Sequence, residues 1–454
     1  MAEVDDPTRM RFIDSIWMDL DTGDAPIAVG AVLEFTGRAP SEARVRQRVA
    51  DITGAAVRLR QVPVSSRSGV LQPKWEEVEP DLEVHVTRQK VEDMSAAVSD
   101  IMARPMPTDR PLWDLTIVTG YAPREWAAVW RIHHSIADGE GVTMLIGRTL
   151  DMEPEGGTTL TDWMVSQVLA MKAAAEAESE DEADAGSSPM DRIFGAVKQA
   201  AGTAATVAVT TPATVRALLR LAPALPTEIS GKPAAGRDWR GIHISLEDVK
   251  RAGKANGGTV NDVLMSAVAN GFREVIVANG GDPTDRVVRA VMPVSLRSPG
   301  DTRSNNQVSM IPVELPVGVA DGKERLGAVV RQTRQGKKSM VPMVVGAVND
   351  TLDKILPAPI MEAMVPRFSW AFGWVSDTLV TNVRGPADPY YFLGQEVLYV
   401  SPIIPIGSSV RTVVGINSYN GSVNVAVTGD LQHGADNQIL LDGIAAGVTE
   451  LLPQ

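Results

Sequence analysis

Cysteine is absent from all 454 residues of the chain. Its absence excludes disulfide bonds, zinc sites built on cysteine and a thiol nucleophile, and it suits the reducing environment of the cytoplasm. Long apolar runs are absent too: no stretch approaches the roughly 20 residues that a membrane-spanning helix requires, and the N-terminal segment has no apolar signal core. We therefore expect a cytoplasmic protein that is soluble or lies on a membrane surface.

Positive charge is also scarce, because 43 lysines and arginines face 56 aspartates and glutamates, for a net charge of −13. An acidic surface repels a phosphate backbone, so we expect no nucleic-acid partner. The run "RQTRQGKK" (Arg331 to Lys338) is a local exception. It is either a solvated helix face or a patch that attracts the phosphates of a cofactor or an anionic lipid.

Two widespread catalytic motifs are missing: the G-x-S-x-G elbow of serine hydrolases and the G-x-x-x-x-G-K-[ST] phosphate loop. Only five histidines occur, yet two of them, His133 and His134, are adjacent in "RIHHSIADGEG". Neighbouring side chains in an extended segment point to opposite faces, so the two rings cannot share one role. Asp138 and Gly139 indicate a turn that returns a carboxylate toward the imidazoles.

This cluster indicates either a metal site or a proton-transfer site. Metal binding fits poorly, because helical zinc pairs place both imidazoles on one face. The remaining histidines, His85, His243 and His433, have no ligand-like neighbours, so we expect no metal. An imidazole with an ordinary pKa of about 6.5 is available as the neutral base at pH 7.

The chain is long enough for two subdomains. Apolar runs predict strands in both halves, and Thr259 with Asp262 forms a capping-box pattern before a predicted helix. We therefore expect an α/β protein with an N-terminal subdomain at 1–172 and a C-terminal subdomain at 233–454. Residues 173–232 begin with an acidic run and predict a linker followed by bridging helices. A lid or a membrane contact at 190–230 is the alternative.

The H-H-x-x-x-D-G pattern from His133 to Gly139 resembles the signature of CoA-dependent acyltransferases of the chloramphenicol acetyltransferase type. More of the chain resembles one branch, the bacterial wax ester synthase/diacylglycerol acyltransferase family. The matching segments are an Asp-containing stretch before a strand (Phe12 to Phe35), Pro111-Leu112-Trp113, Asn261-Asp262, "TNVRGP" (Thr381 to Pro386) and "GINSYNGSV" (Gly415 to Val423). This ordered set extends from about residue 11 to residue 440.

The resemblance implies two chloramphenicol acetyltransferase-like subdomains, each a mixed sheet flanked by helices, with the active-site channel between them. It implies that His134 is the general base, beside His133, and that Asp138 is a structural carboxylate. Arg297 is our first candidate for the partner of Asp138, and a solvated strand end is its alternative. Gly139 is expected to allow a tight turn or a close backbone approach.

Three further residues are candidates for substrate contacts. Asn261 would polarise the acyl oxygen, although it equally suits the first turn of a capped helix. Trp113 would contact substrate, or lie in the core. Asn382 would line the channel, or shape a turn.

The implied reaction moves a long-chain acyl group from acyl-CoA, a co-substrate, to a fatty alcohol or diacylglycerol, with no permanently bound cofactor. The protein would then lie at the inner face of the membrane or on lipid bodies. Two alternatives remain open: an acyl donor tethered to a carrier protein, as in condensation domains, and a non-catalytic lipid-binding scaffold. Chain length, acceptor preference and oligomeric state are not encoded in any recognisable motif.

Overall fold

A computed structural model describes residues 8, 10, 12–21, 26–64, 73–166, 229–295, 308–336, 376–407 and 410–453. The predicted acidic linker, the 190–230 segment and Arg297 lie outside these residues. The helices are α1 (Phe12–Leu20), α2 (Glu42–Ala55), α3 (Leu82–His85), α4 (Met94–Ala103), α5 (Gly139–Gly147), α6 (Leu246–Asn256), α7 (Val260–Ala278), α8 (Gly322–Gly336) and α9 (Gly434–Thr449).

Most of the strands belong to two larger sheets. The strands are β1 (Ala28–Thr36), β2 (Gln61–Val64), β3 (Lys74–Glu77), β4 (Val86–Lys90), β5 (Trp113–Thr119), β6 (Glu125–His133), β7 (Asp238–Ser245), β8 (Val288–Ser295), β9 (Val308–Leu315), β10 (Thr378–Arg384), β11 (Tyr391–Phe392), β12 (Gln395–Glu396), β13 (Tyr399–Ile403), β14 (Thr412–Tyr419) and β15 (Ser422–Gly429). Helices pack against both sheets, which confirms the predicted α/β class.

The first sheet has the order β13-β1-β6-β5-β4. Its central strand β6 is apolar from Trp126 to Trp130, where both of its faces are buried. Ala128 and Trp130 point into one apolar cluster, whereas Ala127 and Val129 point into another that also contains Trp239 of β7. A strand buried on both faces loses the alternation of apolar and polar residues. The strand ends at the histidine pair.

The second sheet has the order β7-β15-β14-β10-β8-β9 and packs against α7 and α9. Helix α7 begins at the predicted capping box: the Thr259 side chain accepts a hydrogen bond from the Asp262 backbone, and the Asp262 carboxylate accepts one from the Thr259 backbone. These bonds satisfy N–H groups that the first turn of a helix leaves open. None of the described helices combines the length and apolar character that crossing a membrane requires.

Strand β13 joins the two halves of the chain. It lies within the segment 233–454, yet it pairs antiparallel with β1 at the edge of the first sheet, with Ser401 opposite Val32. It also contacts β14 and β15 of the second sheet. Tyr419 at the end of β14 reaches the first core as well, since its hydroxyl donates to the carbonyl of Val397 at 2.7 Å. The domain boundaries at 1–172, 173–232 and 233–454 remain a prediction. The described parts of the first and last of these segments pack against each other through β13 and Tyr419.

Candidate active site

The histidine pair lies where β6 gives way to a turn. The backbone N–H of His133 donates to the carbonyl of Leu112, and that of His134 donates to the carbonyl of Ile27, both at 2.9 Å. The turn covers residues 134–136 and is closed by a 2.9 Å bond from the Ile136 N–H to the His133 carbonyl. The backbone of the pair is therefore held from both sides, by the segments that precede β5 and β1.

His133 is buried, with 1% of its surface exposed. Its Nδ1 accepts the backbone N–H of Ser135 at 3.1 Å and lies 2.8 Å from the Ser135 hydroxyl oxygen. Because a backbone N–H can only donate, Nδ1 carries no proton, and Nε2–H of the neutral ring donates to Asp21 at 3.2 Å. Each ring nitrogen of His133 is thus occupied by a protein group.

His134 has different surroundings, as alternation along a strand predicts. Its ring is half-buried and stacks on the indole of Trp17, with centroids 4.0 Å apart and planes inclined by 17°. Trp17 lies on α1, which the chain places more than a hundred residues earlier. His133 is therefore held in the interior by hydrogen bonds, and the ring of His134 stacks on an aromatic face.

Asp138 begins helix α5 as its N-cap. The carboxylate is 4% exposed and accepts the backbone N–H of Gly141 at 2.8 Å. The predicted turn at Asp138 and Gly139 is wrong, because the turn lies at 134–136 and Gly139 is already the first helical residue. An acidic N-cap is favoured there because the first turn of a helix presents unsatisfied N–H groups. Pairing of Asp138 with Arg297 stays a prediction.

The described residues do not support the expected reason for Gly139. Its backbone does not have a positive φ, and a Cβ placed on it would meet no described atom within 4 Å. Among the described residues, neither a tight turn nor a close backbone approach requires glycine at this position. The space beside Gly139 is open among the described residues.

Asn261 and Asn382 meet, although 121 residues separate them. The side-chain nitrogen of Asn382 on β10 donates to the side-chain oxygen of Asn261 on α7 at 2.9 Å. This bond occupies the side-chain oxygen of Asn261. The side-chain N–H groups of Asn261 therefore point away from Asn382. Asp262, the next residue, is buried and accepts the Thr333 hydroxyl of α8 at 2.8 Å. The helix terminus that carries Asn261 is thus held by two other elements, β10 and α8.

The segments "TNVRGP" and "GINSYNGSV" also lie side by side, because β10 pairs in parallel with β14. The chain then stays close: the N–H of Gly385 donates to the Ser418 carbonyl at 2.8 Å. A Cβ on Gly385 would overlap that carbonyl oxygen, so glycine is required by the approach of the two backbones.

Trp113 is a core residue, and the expected substrate contact is not supported. Its side chain is 2% exposed, its indole N–H donates to the Leu59 carbonyl at 2.8 Å, and its ring stacks on His85 at 4.3 Å. Burial lowers the pKa of His85, whose Nδ1 lies 2.6 Å from the Trp113 carbonyl oxygen. The described surroundings leave Trp113 no face for a substrate.

Sequence reasoning missed Trp17, Asp21 and Ser135. The Asp-containing segment before β1 was noted only as a family feature, and no local pattern connects it with a histidine 112 residues away. A signal was present in the spacing, because Asp21 directly follows α1 and lies four residues after Trp17, a spacing that places two side chains on one side of a helix. Within the described ranges, no group of three or more histidine, aspartate and glutamate side chains is arranged to hold a metal ion.

Comparison with known proteins agrees with this architecture. A family model of the wax ester synthase/diacylglycerol acyltransferase catalytic domain matches residues 10–264, and one of the WS/DGAT C-terminal domain matches residues 304–451. A probable diacylglycerol O-acyltransferase, tgs1, of Mycobacterium tuberculosis strain H37Rv is 27% identical over 453 residues, covering 94% of this chain and 91% of its own.

Two solved structures show the fold. The wax ester synthase/diacylglycerol acyltransferase from Marinobacter aquaeolei VT8 superposes with a TM-score of 0.68 at 20% identity, covering 98% of each chain. The first condensation domain of the calcium-dependent antibiotic synthetase gives a TM-score of 0.60 at 16% identity, covering 98% of this chain and 95% of its own. The predicted fold class and family are thereby confirmed. The catalytic-domain model alone spans more than half of the chain, so the protein belongs to the wax ester synthase/diacylglycerol acyltransferase family of acyltransferases.

Proposed function

We propose that the protein transfers a long-chain acyl group from acyl-CoA to a fatty alcohol or diacylglycerol, with His134 as the general base. The observation that carries this assignment is the contrast between the two histidines. His133 is 1% exposed and both of its ring nitrogens contact protein groups, whereas His134 is only half-buried and its ring stacks on Trp17. A base must reach the proton that it abstracts.

The proposed reaction passes directly from donor to acceptor. His134 accepts the hydroxyl proton while the alcohol oxygen attacks the thioester carbonyl, because an alcohol is far less acidic than imidazolium. The tetrahedral intermediate then expels the CoA thiolate, the C–S bond breaks, and the imidazolium returns its proton to the sulfur. Thiolate is a good leaving group, so no covalent acyl-enzyme is required.

Asn261 is the proposed donor to the oxygen of the tetrahedral intermediate. Its side-chain oxygen is occupied by Asn382, so the side-chain N–H groups are the part of the amide that can face a substrate. A donor fixed in advance stabilises developing negative charge at little reorganisation cost. In this proposal Asn382 acts by orienting the amide of Asn261.

The basic run is the proposed contact for the phosphates of CoA. Arg331 and Arg334 are exposed near the end of α8, on either side of Thr333, whose hydroxyl binds Asp262. This contact puts the cationic end of α8 beside the helix terminus that carries Asn261. Acyl-CoA is then a co-substrate and not a resident cofactor. We further propose peripheral association with the inner membrane face or lipid bodies, where the acceptor lipids lie.

The test is product analysis with purified protein. Palmitoyl-CoA is supplied with hexadecanol or with dioleoylglycerol, and both ester and released CoA are measured. We expect ester formation, and we expect His134→Ala to lower the rate by about 10²–10⁴-fold, the usual contribution of a general base. His133→Ala, whose ring is buried, should lose folding stability and keep partial activity.

Three outcomes would contradict the assignment. If His134→Ala turned over normally while His133→Ala did not, the histidine roles would be exchanged. If both variants stayed active, the site would lie elsewhere. If no ester formed from palmitoyl-CoA but did form from a palmitoylated carrier protein, the donor would be of the carrier type.

A further inference from the structure

One side of helix α1 and the residue that follows it hold both histidines of the candidate site. Trp17 stacks on His134, and Asp21 accepts from His133 Nε2. The two side chains are four residues apart, which places them on one side of a helix. Nothing in the H-H-x-x-x-D-G segment itself supplies either contact.

The Trp17 contact favours one protonation state of His134. The face of an indole carries negative charge density, and it attracts a cation more strongly than a neutral ring. A proton on His134 converts the stacked imidazole into such a cation, 4.0 Å from the indole centroid. Trp17 therefore stabilises the imidazolium that forms when the acceptor alcohol gives up its proton, and it also restricts rotation of the ring.

The Asp21 contact works through the backbone. Asp21 binds Nε2 of His133, and the opposite nitrogen of the same ring binds the N–H of Ser135. This chain of bonds spans the turn at 134–136 and fixes the segment from which His134 projects. Removing the carboxylate would release His133 and loosen that turn.

We infer that Trp17 and Asp21 are positioning residues for acyl transfer, Trp17 acting on the ring of His134 and Asp21 acting through His133. The inference rests on the proposed function of His134 as base. Helix α1 and the first turn of α5 carry four further carboxylates: Asp14 and Asp138, which are buried, and Asp19 and Glu140, which are exposed. The Trp17 variants leave all four in place.

The first experiment measures kcat/KM against pH for the wild type, Trp17→Phe and Trp17→Leu. We expect the pKa of the acidic limb to fall by about half a unit to one unit in Trp17→Leu, because the cation–π interaction is lost. Trp17→Phe, which keeps a weaker aromatic face, should give an intermediate shift. The KM for palmitoyl-CoA should change little, because the proposed role of Trp17 is carried by its stack on His134.

The same titration is followed by NMR of the histidine Cε1–H signals. The His134 signal is identified by its absence from the spectrum of His134→Ala. This readout does not require turnover. If the His134 signal shifts in Trp17→Leu but the rate profile does not, positioning by Trp17 is supported and His134 is not the base. If neither the signal nor the profile shifts in Trp17→Leu or Trp17→Phe, the inference for Trp17 is overturned and the proposed function is untouched.

The second experiment addresses Asp21. We expect Asp21→Ala to lower kcat by up to about a hundredfold, the effect of a misplaced catalytic group, and Asp21→Asn, which keeps an acceptor oxygen, to recover most of it. Asp19→Asn removes an exposed carboxylate of the same helix and should leave kcat unchanged. Circular dichroism establishes folding of each variant. Wild-type kcat in folded Asp21→Ala, or equal loss in the Asp19 control, would overturn the inference for Asp21.

Discussion

At the scale of single residues, the two neighbouring histidines differ through partners that are distant in the chain. The pattern of residues 133–139 predicted a proton-transfer site and separate surroundings for the two rings. It did not predict Trp17 or Asp21, because a side chain's partner across the fold leaves no trace in the local sequence. Asn261 and Asn382 were each predicted separately, and only folding shows that they share a hydrogen bond.

Asp138 allows a stability prediction at this scale. Asp138→Ala removes the N-cap acceptor of α5, which should lower the free energy of unfolding by about 1 kcal/mol. The loss should approach about 3–5 kcal/mol if the buried carboxylate also pairs with a cation, as the family resemblance implies. Chemical denaturation of purified variants measures either value.

Two variants serve as comparisons for Asp138→Ala. Asp138→Asn keeps the capping oxygen and loses the charge, so it distinguishes the contribution of the N-cap hydrogen bond from that of an ion pair. Glu140→Ala removes an exposed carboxylate from the same helical turn and should have a small effect. An Asp138→Ala protein as stable and as active as the wild type would contradict the structural assignment.

At the scale of elements, strands with an apolar pattern were predictable and their partners were not. The predicted strands near residues 26–37, 113–120 and 125–132 correspond to β1, β5 and β6. The capping box of α7 was predicted because its two bonds are local. The turn after β6 was placed too late, since an Asp-Gly pair suits a turn and an N-cap equally well.

His85 at the end of α3 allows a prediction of pH dependence. Burial lowers its pKa in the folded protein below the ordinary value of 6.5. On acidification the unfolded chain therefore takes up this proton first, which favours unfolding. We expect the His85 contribution to stability to be complete above pH 7 and to be lost as the pH falls through about 6.5 toward the lower folded pKa.

The measurement is urea denaturation at several pH values for the wild type and His85→Phe. Phenylalanine can preserve the stack on Trp113 but has no titrating proton. The variant should be less stable at pH 7.5, because the Trp113 carbonyl loses its donor, yet it should lose less stability between pH 7.5 and 5.5. Parallel pH curves for the two proteins would show that His85 does not carry this dependence.

At the scale of the whole molecule, β13 couples the two sheets. It pairs with β1 and contacts β14 and β15, with Ser401 fully buried at its centre. Neither composition nor periodicity predicts that β13 pairs with β1, because a five-residue strand would fit the edge of either sheet. We expect the two sheets to unfold together, since β13 is an edge strand of the first sheet and also packs against β14 and β15 of the second.

Ser401→Asp tests this coupling by placing a carboxylate in the junction, where an unpaired charge costs several kcal/mol. Hydrogen exchange followed by mass spectrometry should show faster exchange in β6 of the first sheet and in β15 of the second. Ser245→Asp is the control, because it adds the same charge at an exposed position that already caps α6. Faster exchange confined to the first sheet would contradict the coupling.

The pairing of β13 with β1 also has a consequence during synthesis on the ribosome. About 360 residues lie between the end of β1 and the start of β13, which at about 5–20 residues per second takes roughly 20–70 seconds to synthesise. Throughout that interval the edge of β1 that pairs with β13 has no partner strand, although β4, β5 and β6 on the other side are made within about the first 100 residues of it. An open, apolar strand edge is a template for pairing between chains. The nascent protein therefore remains exposed to aggregation after its H-H-x-x-x-D-G segment has been made, and that exposure ends only when Tyr399–Ile403 leaves the exit tunnel.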